Sequence, residues 1–150
     1  MSAPGRKYVL DTHVFVQAFR DATANAALQR FHQIYAPFEY LSTVVAQELR
    51  SGIRRPEDRK ALERHVLGVY ERATRVIVPS ATAWQRSGDV LAALALAEGL
   101  EVGRVSKSFG NDILLALSCR EAGCILVTSN AKDFQRIRRY VPFEFIAPHP

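Results

Sequence analysis

The sequence predicts an α/β fold, a three-layer α/β/α sandwich around a mainly parallel central sheet. Short apolar runs of strand length alternate with longer stretches of helical spacing, the pattern of strands joined by crossover helices. Ser or Thr before many helical stretches, and Gly or Pro at their ends, mark the boundaries. There is no internal repeat, linker or low-complexity segment, and 150 residues suffice for one full core, so residues 1–150 read as one domain.

Taken in order, Lys7 to Leu10 is a short strand and Thr12 to Phe19 begins a helix directly after Asp11. Ala22 to Tyr35 is a second helix, with Ala27, Leu28, Phe31, Ile34 and Tyr35 at helical spacing, ended by Pro37. Its apolar stripe reads as core. Phe38 to Leu41 is a strand, after which Ser42 or Thr43 caps a helix through Val44, Val45, Glu48 and Leu49 that Gly52 breaks. Pro56 opens a long helix to about Ala73. Val76 to Val78 is a buried strand, and Ser80 caps a helix closed by Gly99. After an irregular polar stretch, Ser106 or Ser108 starts a helix closed by Gly123. Cys124 to Val127 is another buried strand, Ala131 to Arg138 a short helix, and Phe143 to Ile146 a last strand.

Hydrophobic residues make up 48% and charged residues 23%, a globular balance that excludes a disordered chain. The longest apolar runs, such as Val90 to Ala97, fall well short of a membrane span and no signal peptide precedes Asp11, so a soluble, cytoplasmic protein is expected. Cys119 and Cys124 form no C-x-x-C pair and have no His at zinc-finger spacing, which leaves them as small buried thiols. Lys and Arg number 20 against 15 Asp and Glu, a net charge of +5. Arg50, Arg54, Arg55, Arg59, Lys60 and Arg64 form one basic group and Arg136, Arg138 and Arg139 another. Each reads either as a solvated helix face or as a surface for a phosphate backbone.

The acids carry the chemistry. Asp11 stands at the carboxyl end of a strand, where α/β sheets keep their ligand sites. Asn130 also follows a buried strand, so a parallel sheet puts it at the same edge, with Thr128 and Asp133 beside it. Asp112 falls in the first turn of its helix, where the helix dipole favours a carboxylate. Glu48 lies one turn after Val44 and Val45, on a core-facing stripe, with its head turned inward. Acids that converge this way must be protonated, paired with bases or bridged by a cation. An all-oxygen set suits Mg²⁺ or Mn²⁺ better than zinc. Thr12 and Thr128 are placed to hold carboxylates or waters, or else to bond local backbone. None of the four histidines stands where a general base is called for.

These residues resemble a known family. Val9-Leu10-Asp11-Thr12-His13-Val14, then Ser42-Thr43-Val44-Val45-Ala46-Gln47-Glu48-Leu49, then Asn111-Asp112-Ile113-Leu114-Leu115-Ala116, and finally Leu126-Val127-Thr128-Ser129-Asn130-Ala131-Lys132-Asp133-Phe134 are similar, in order and rough spacing, to the motifs of PIN-domain ribonucleases. The likeness is greatest to the VapC-type toxins of bacterial toxin–antitoxin pairs. It implies Mg²⁺- or Mn²⁺-dependent cleavage of RNA, with Asp11, Glu48 and Asp112 as core acids and metal ligands. Asn130 falls where many relatives carry a fourth Asp or an Asn, with Asp133 as the neighbour that serves instead or anchors the turn. It further implies RNA contacts through Arg50, Arg54 and Arg55, a homodimer and a cognate antitoxin. His13 departs from the family, which often has Asn there.

Three rival readings remain in view. A haloacid-dehalogenase-type phosphatase needs a second acid two residues after the first, and that position is His13. A PIN nuclease outside the toxin group would act in RNA processing or DNA metabolism. A catalytically silent RNA-binding PIN module would have lost its core acids, and all three are present.

Overall fold

The structure, a computed structural model, describes residues 5–148. Strand β1 (Lys7–Leu10) leads into helices α1 (Thr12–Arg20) and α2 (Ala22–Tyr35), and a 3-10 turn over Ala36–Phe38 delivers the chain to β2 (Glu39–Ser42). Helix α3 (Thr43–Ser51) follows, then α4 (Pro56–Leu62), a π-helical stretch (Glu63–Leu67) and α5 (Gly68–Arg72). After β3 (Val76–Ile77) come α6 (Ala81–Glu98), a 3-10 turn (Val102–Arg104) and α7 (Lys107–Ala122). The chain ends through β4 (Cys124–Val127), α8 (Ala131–Arg138) and β5 (Phe145–Ile146).

The five strands form one sheet in the order β3-β2-β1-β4-β5, and every pairing is parallel. The chain thus builds outward on one side of β1, crosses back, and builds outward on the other. Right-handed crossovers put the helices of the two halves on opposite faces of the sheet, which yields the three layers. They also leave a topological switch point between the carboxyl ends of β1 and β4, the crevice in which open α/β sheets bind ligands. The two central strands pair from Lys7 with Cys124 to Leu10 with Val127. Two loop bonds extend the ladder past the strand ends: Asp11 N–H donates to Val127 O at 2.9 Å, and Thr128 N–H to Ile146 O at 2.9 Å.

Buried faces hold this frame together. Val9, Leu126 and Val127 are fully enclosed in the sheet, and α7 is buried on all sides from Asp112 to Cys119, as suits a helix packed against α3, α6, α8 and β4. Local rules explain the helix ends. Ser42, Ser80 and Ser106 each accept a backbone N–H of the helix they open, and Gly99 and Gly123 adopt the left-handed conformation that closes α6 and α7. Both cysteines are free and buried. Within the described residues no helix is long and apolar enough to cross a membrane.

Four expectations are corrected. The third strand is Val76–Ile77 only and is half-buried, because it is the sheet edge; Val78, next to it, is 67% exposed. The second strand starts at Glu39 rather than Phe38, since Pro37 draws Phe38 into the 3-10 turn. The last strand is Phe145–Ile146, the two residues that pair with β4. Of the α2 stripe, Leu28 and Phe31 enter the core, but Ile34 is exposed.

The helix read as continuous from Pro56 to about Ala73 contains the π-helical stretch, which widens the turn before Gly68. A Cβ at Gly68 would lie 2.5 Å from the Glu63 carbonyl oxygen and 2.7 Å from Arg72 Nη1. Gly68→Ala is therefore expected to destabilise the fold by about 1–3 kcal/mol in urea unfolding, the cost of overpacking. An ordinary helical glycine would instead gain stability from alanine, and such a gain would contradict the close approach.

Candidate active site

Asp11 follows β1 at the switch point and is buried, 3% exposed. It caps α1: Oδ1 accepts the Thr12 N–H at 2.8 Å. Oδ2 accepts the hydroxyl of Thr128, the first residue after β4, at 2.7 Å. The Thr128 oxygen in turn accepts the Asn130 N–H at 3.0 Å. One threonine thus ties Asp11 on the first strand to the loop after the fourth.

Glu48 reaches the same place from α3 and is half-buried. Its Oε1 accepts the Thr12 hydroxyl at 2.5 Å and its Oε2 accepts the Asn111 side-chain amide at 3.2 Å. Asn130 donates its side-chain amide to Asp133 Oδ2 at 3.1 Å, so these two residues form a bonded pair on the rim. His13 is exposed.

Asp112 is different. It is buried, 6% exposed, and its carboxyl makes no hydrogen bond among the described residues. It lies in the second turn of α7 rather than the first, because Ser106 caps the helix and α7 starts at Lys107. The helix N-terminus is therefore too far away to support its charge. Burial, and then repulsion from Asp11, Glu48 and Asp133, pushes its pKa up to about 8. Asp11 is also raised by burial, with its bonds to Thr128 and Thr12 working the other way. The third buried acid, Glu39, occupies the amino end of β2 with partners of its own: His32 Nδ1 is 2.7 Å away and the Tyr70 hydroxyl donates at 3.4 Å. Burial alone does not distinguish the cluster; several acids facing one another without a hydrogen-bonded base among the described residues does.

Asp11, Glu48 and Asp133 thus each repel Asp112, and Glu48 also repels Asp11, with Asn130 bonded to Asp133. Within the described residues, however, no three His, Cys, Asp or Glu side chains form a ready-made metal cage. Asp11 and Glu48 are turned onto hydroxyl and amide donors, while Asp112 offers both oxygens. The donor chemistry, carboxylate oxygens with one acid lacking any partner, fits a hard divalent cation. The basic trio is dispersed. Arg50 forms a bidentate pair with Glu63 at 2.8 and 2.9 Å, and Arg55 one with Asp58 at 2.9 and 3.2 Å. Arg54 bonds only backbone carbonyls, of Ser51 and Ile53. The contribution of Asn111 is the feature that residue-by-residue reading missed. Its only signal was its place immediately before Asp112.

A pH dependence follows. The Asp112 carboxyl, at about 8 in the fold against 3.8 for the free group, keeps its proton where the unfolded chain has lost it. The folded state then binds more protons between those values, so stability falls as pH rises through that window. In EDTA, Asp112→Asn is expected to melt several degrees above wild type at pH 8, with the gap closing toward pH 4. Equal melting temperatures at pH 8 would contradict the buried repulsion.

The comparisons with known proteins agree with this fold. A family model for the PIN domain matches residues 8–140. No curated protein matches the sequence. Among solved structures, DNA-bound VapBC from Salmonella typhimurium is 20% identical, with 96% of this chain and 99% of that chain covered and a TM-score of 0.72. FitAcB from Neisseria gonorrhoeae is 17% identical, covering 94% and 97% at a TM-score of 0.67. A toxin–antitoxin complex from Klebsiella pneumoniae is 19% identical, covering 95% and 98% at 0.55. At these identities the likeness is one of fold, and the family model, whose match runs from β1 through α8 and includes all four acids, supplies the rest: the chain belongs to the PIN domain family.

Proposed function

We propose that the chain is a metal-dependent endoribonuclease, the VapC-type toxin of a type II toxin–antitoxin pair. The observation that carries the reading is Asp112, a residue 6% exposed whose carboxyl makes no hydrogen bond among the described residues and whose pKa is raised by burial and then by Asp11, Glu48 and Asp133. Such an arrangement costs stability and is repaid when a cation is bound. Family membership supports nuclease chemistry in general terms. The complexes among the structural neighbours support an antitoxin partner, and a homodimer is part of the same reading.

Asp11, Glu48 and Asp112 would hold Mg²⁺ or Mn²⁺, with Asn130 completing the site and Asp133 supporting it. A bound ion supplies Lewis acidity there, acidifying water and offsetting charge that develops on the phosphate. The chain's own work is positional. Thr128 and the Thr12 N–H fix Asp11, the Thr12 hydroxyl and Asn111 fix Glu48, and Asp112 stays bare. Hydrolysis would form a bond from a water oxygen to phosphorus in line with the P–O bond that breaks, and the displaced ribose oxygen would leave as an alcohol carrying a proton from that water. An RNA substrate suits the net charge of +5. Within the basic trio, Arg54 is the side chain free of carboxylate partners among the described residues, so it is the one to grip the RNA backbone, while Arg50 braces α3 against Glu63. Action on RNA is consistent with a cytoplasmic setting.

The test is incubation of total RNA with purified protein in Mn²⁺, in EDTA, and as the Asp11→Asn and Asp112→Asn variants. Discrete fragments are expected with Mn²⁺ alone. Each substitution should cost at least the roughly 10–100-fold that loss of a ligand's supporting partner costs. Cleavage that survives EDTA and both variants would refute the reading. Intact RNA with a protein free of antitoxin would turn it toward a silent binding module or a DNA substrate.

A further inference from the structure

We infer that Asn111 is a positioning residue, one jaw of a neutral clamp that aims the Glu48 carboxylate at the space shared with Asp112. The inference rests on the metal-site reading above. Glu48 has one more side-chain torsion than Asp11 or Asp112 and is the least enclosed of the three, so its head must be fixed by its neighbours. Two donors on different helices do so: the Thr12 hydroxyl of α1 holds Oε1 and the Asn111 amide of α7 holds Oε2. Because a carboxylate only accepts, the Asn111 nitrogen must be the atom that faces it.

Two features make Asn111 more than a packing residue. It directly precedes Asp112, so one turn of α7 delivers both the bare carboxylate and the donor that fixes the third acid, and their separation is set by a single rigid element. Its chemistry is also selective. An Arg or Lys at this position would hold Glu48 equally well but would cancel charge that a cation needs, and an Asp would repel it. Thr12, Thr128 and Asn111 share this property, since each restrains a carboxylate without neutralising it. Two arginines that follow Glu48 in sequence are engaged with other acids, Arg50 with Glu63 and Arg55 with Asp58.

The test is titration calorimetry of Mn²⁺ into metal-free wild type, Asn111→Ala, Glu48→Ala and the double variant. Urea unfolding in EDTA runs alongside to separate folding from binding. Asn111→Ala is expected to weaken Mn²⁺ about 10–100-fold, as loss of a ligand's hydrogen-bond partner does. On the Glu48→Ala background the same change should move the Kd less than twofold, because its effect passes through Glu48. Asn111→Ala that binds as wild type would overturn the inference, as would equal weakening on both backgrounds. Wild type that takes up no Mn²⁺ would overturn the metal-site reading together with it.

Discussion

Mutual repulsion among acids crowded at the mouth of the sheet is the constraint on which the rest of the site depends. Two carboxyls, Asp11 and Asp112, are buried at or beside the switch point, and Glu48 and Asp133 add further negative charge. A fold selected for stability alone would pair such groups with bases, as it does elsewhere in the same molecule, where His32 and Tyr70 answer Glu39. At the switch point the partners are a threonine hydroxyl, a backbone N–H and an amide, and for Asp112 there is none among the described residues. The arrangement sacrifices stability for a cluster of acids whose ionisation is pushed upward, a pattern common at functional sites.

Topology makes that concentration possible. Since β1 and β4 are central neighbours in a parallel sheet, the residues after each emerge side by side, and the crossovers leave a crevice between them. Asp11 and Thr128 meet because of that register, although 117 positions separate them in sequence. Helices α3 and α7 then bring Glu48 and Asp112 from outside the sheet, with Asn111 bridging the two. Each support of Asp11 and Glu48 is short and neutral, so it fixes the acid without pairing it with a base.

Much of this was legible in the residues. Strand β4 and the helix ends were written in single-residue signals: Val127 before a polar turn, Ser42 and Ser80 as caps, Gly99 and Gly123 as closing residues. Asp11 and Asn130 could be assigned to one sheet edge because parallel topology follows from alternation. Part of what the sequence does not show depends on partners distant in the chain, and part on local geometry that composition leaves open. The edge status of β3 is set by sheet order, not by Val76-Ile77-Val78. The π-helical stretch before Gly68 has no compositional signature and shows only in the close approach of Glu63 and Arg72. Asp112 was read one turn too close to its helix start, since Ser106 and Ser108 are equally good caps by type. Arg50 reads as a free charge until the fold brings Glu63 to it, whereas the partner of Arg55, Asp58, is only three residues away.

The most direct test of the account is the number of protons released when Mn²⁺ binds, from calorimetry in buffers of differing ionisation enthalpy. An Asp112 carboxyl near 8 is mostly protonated at pH 7, so binding should expel close to one proton per ion, declining toward zero above pH 9. Mn²⁺ binding at pH 7 with no proton release would mean that Asp112 is already ionised and that the buried repulsion at the centre of this account does not exist.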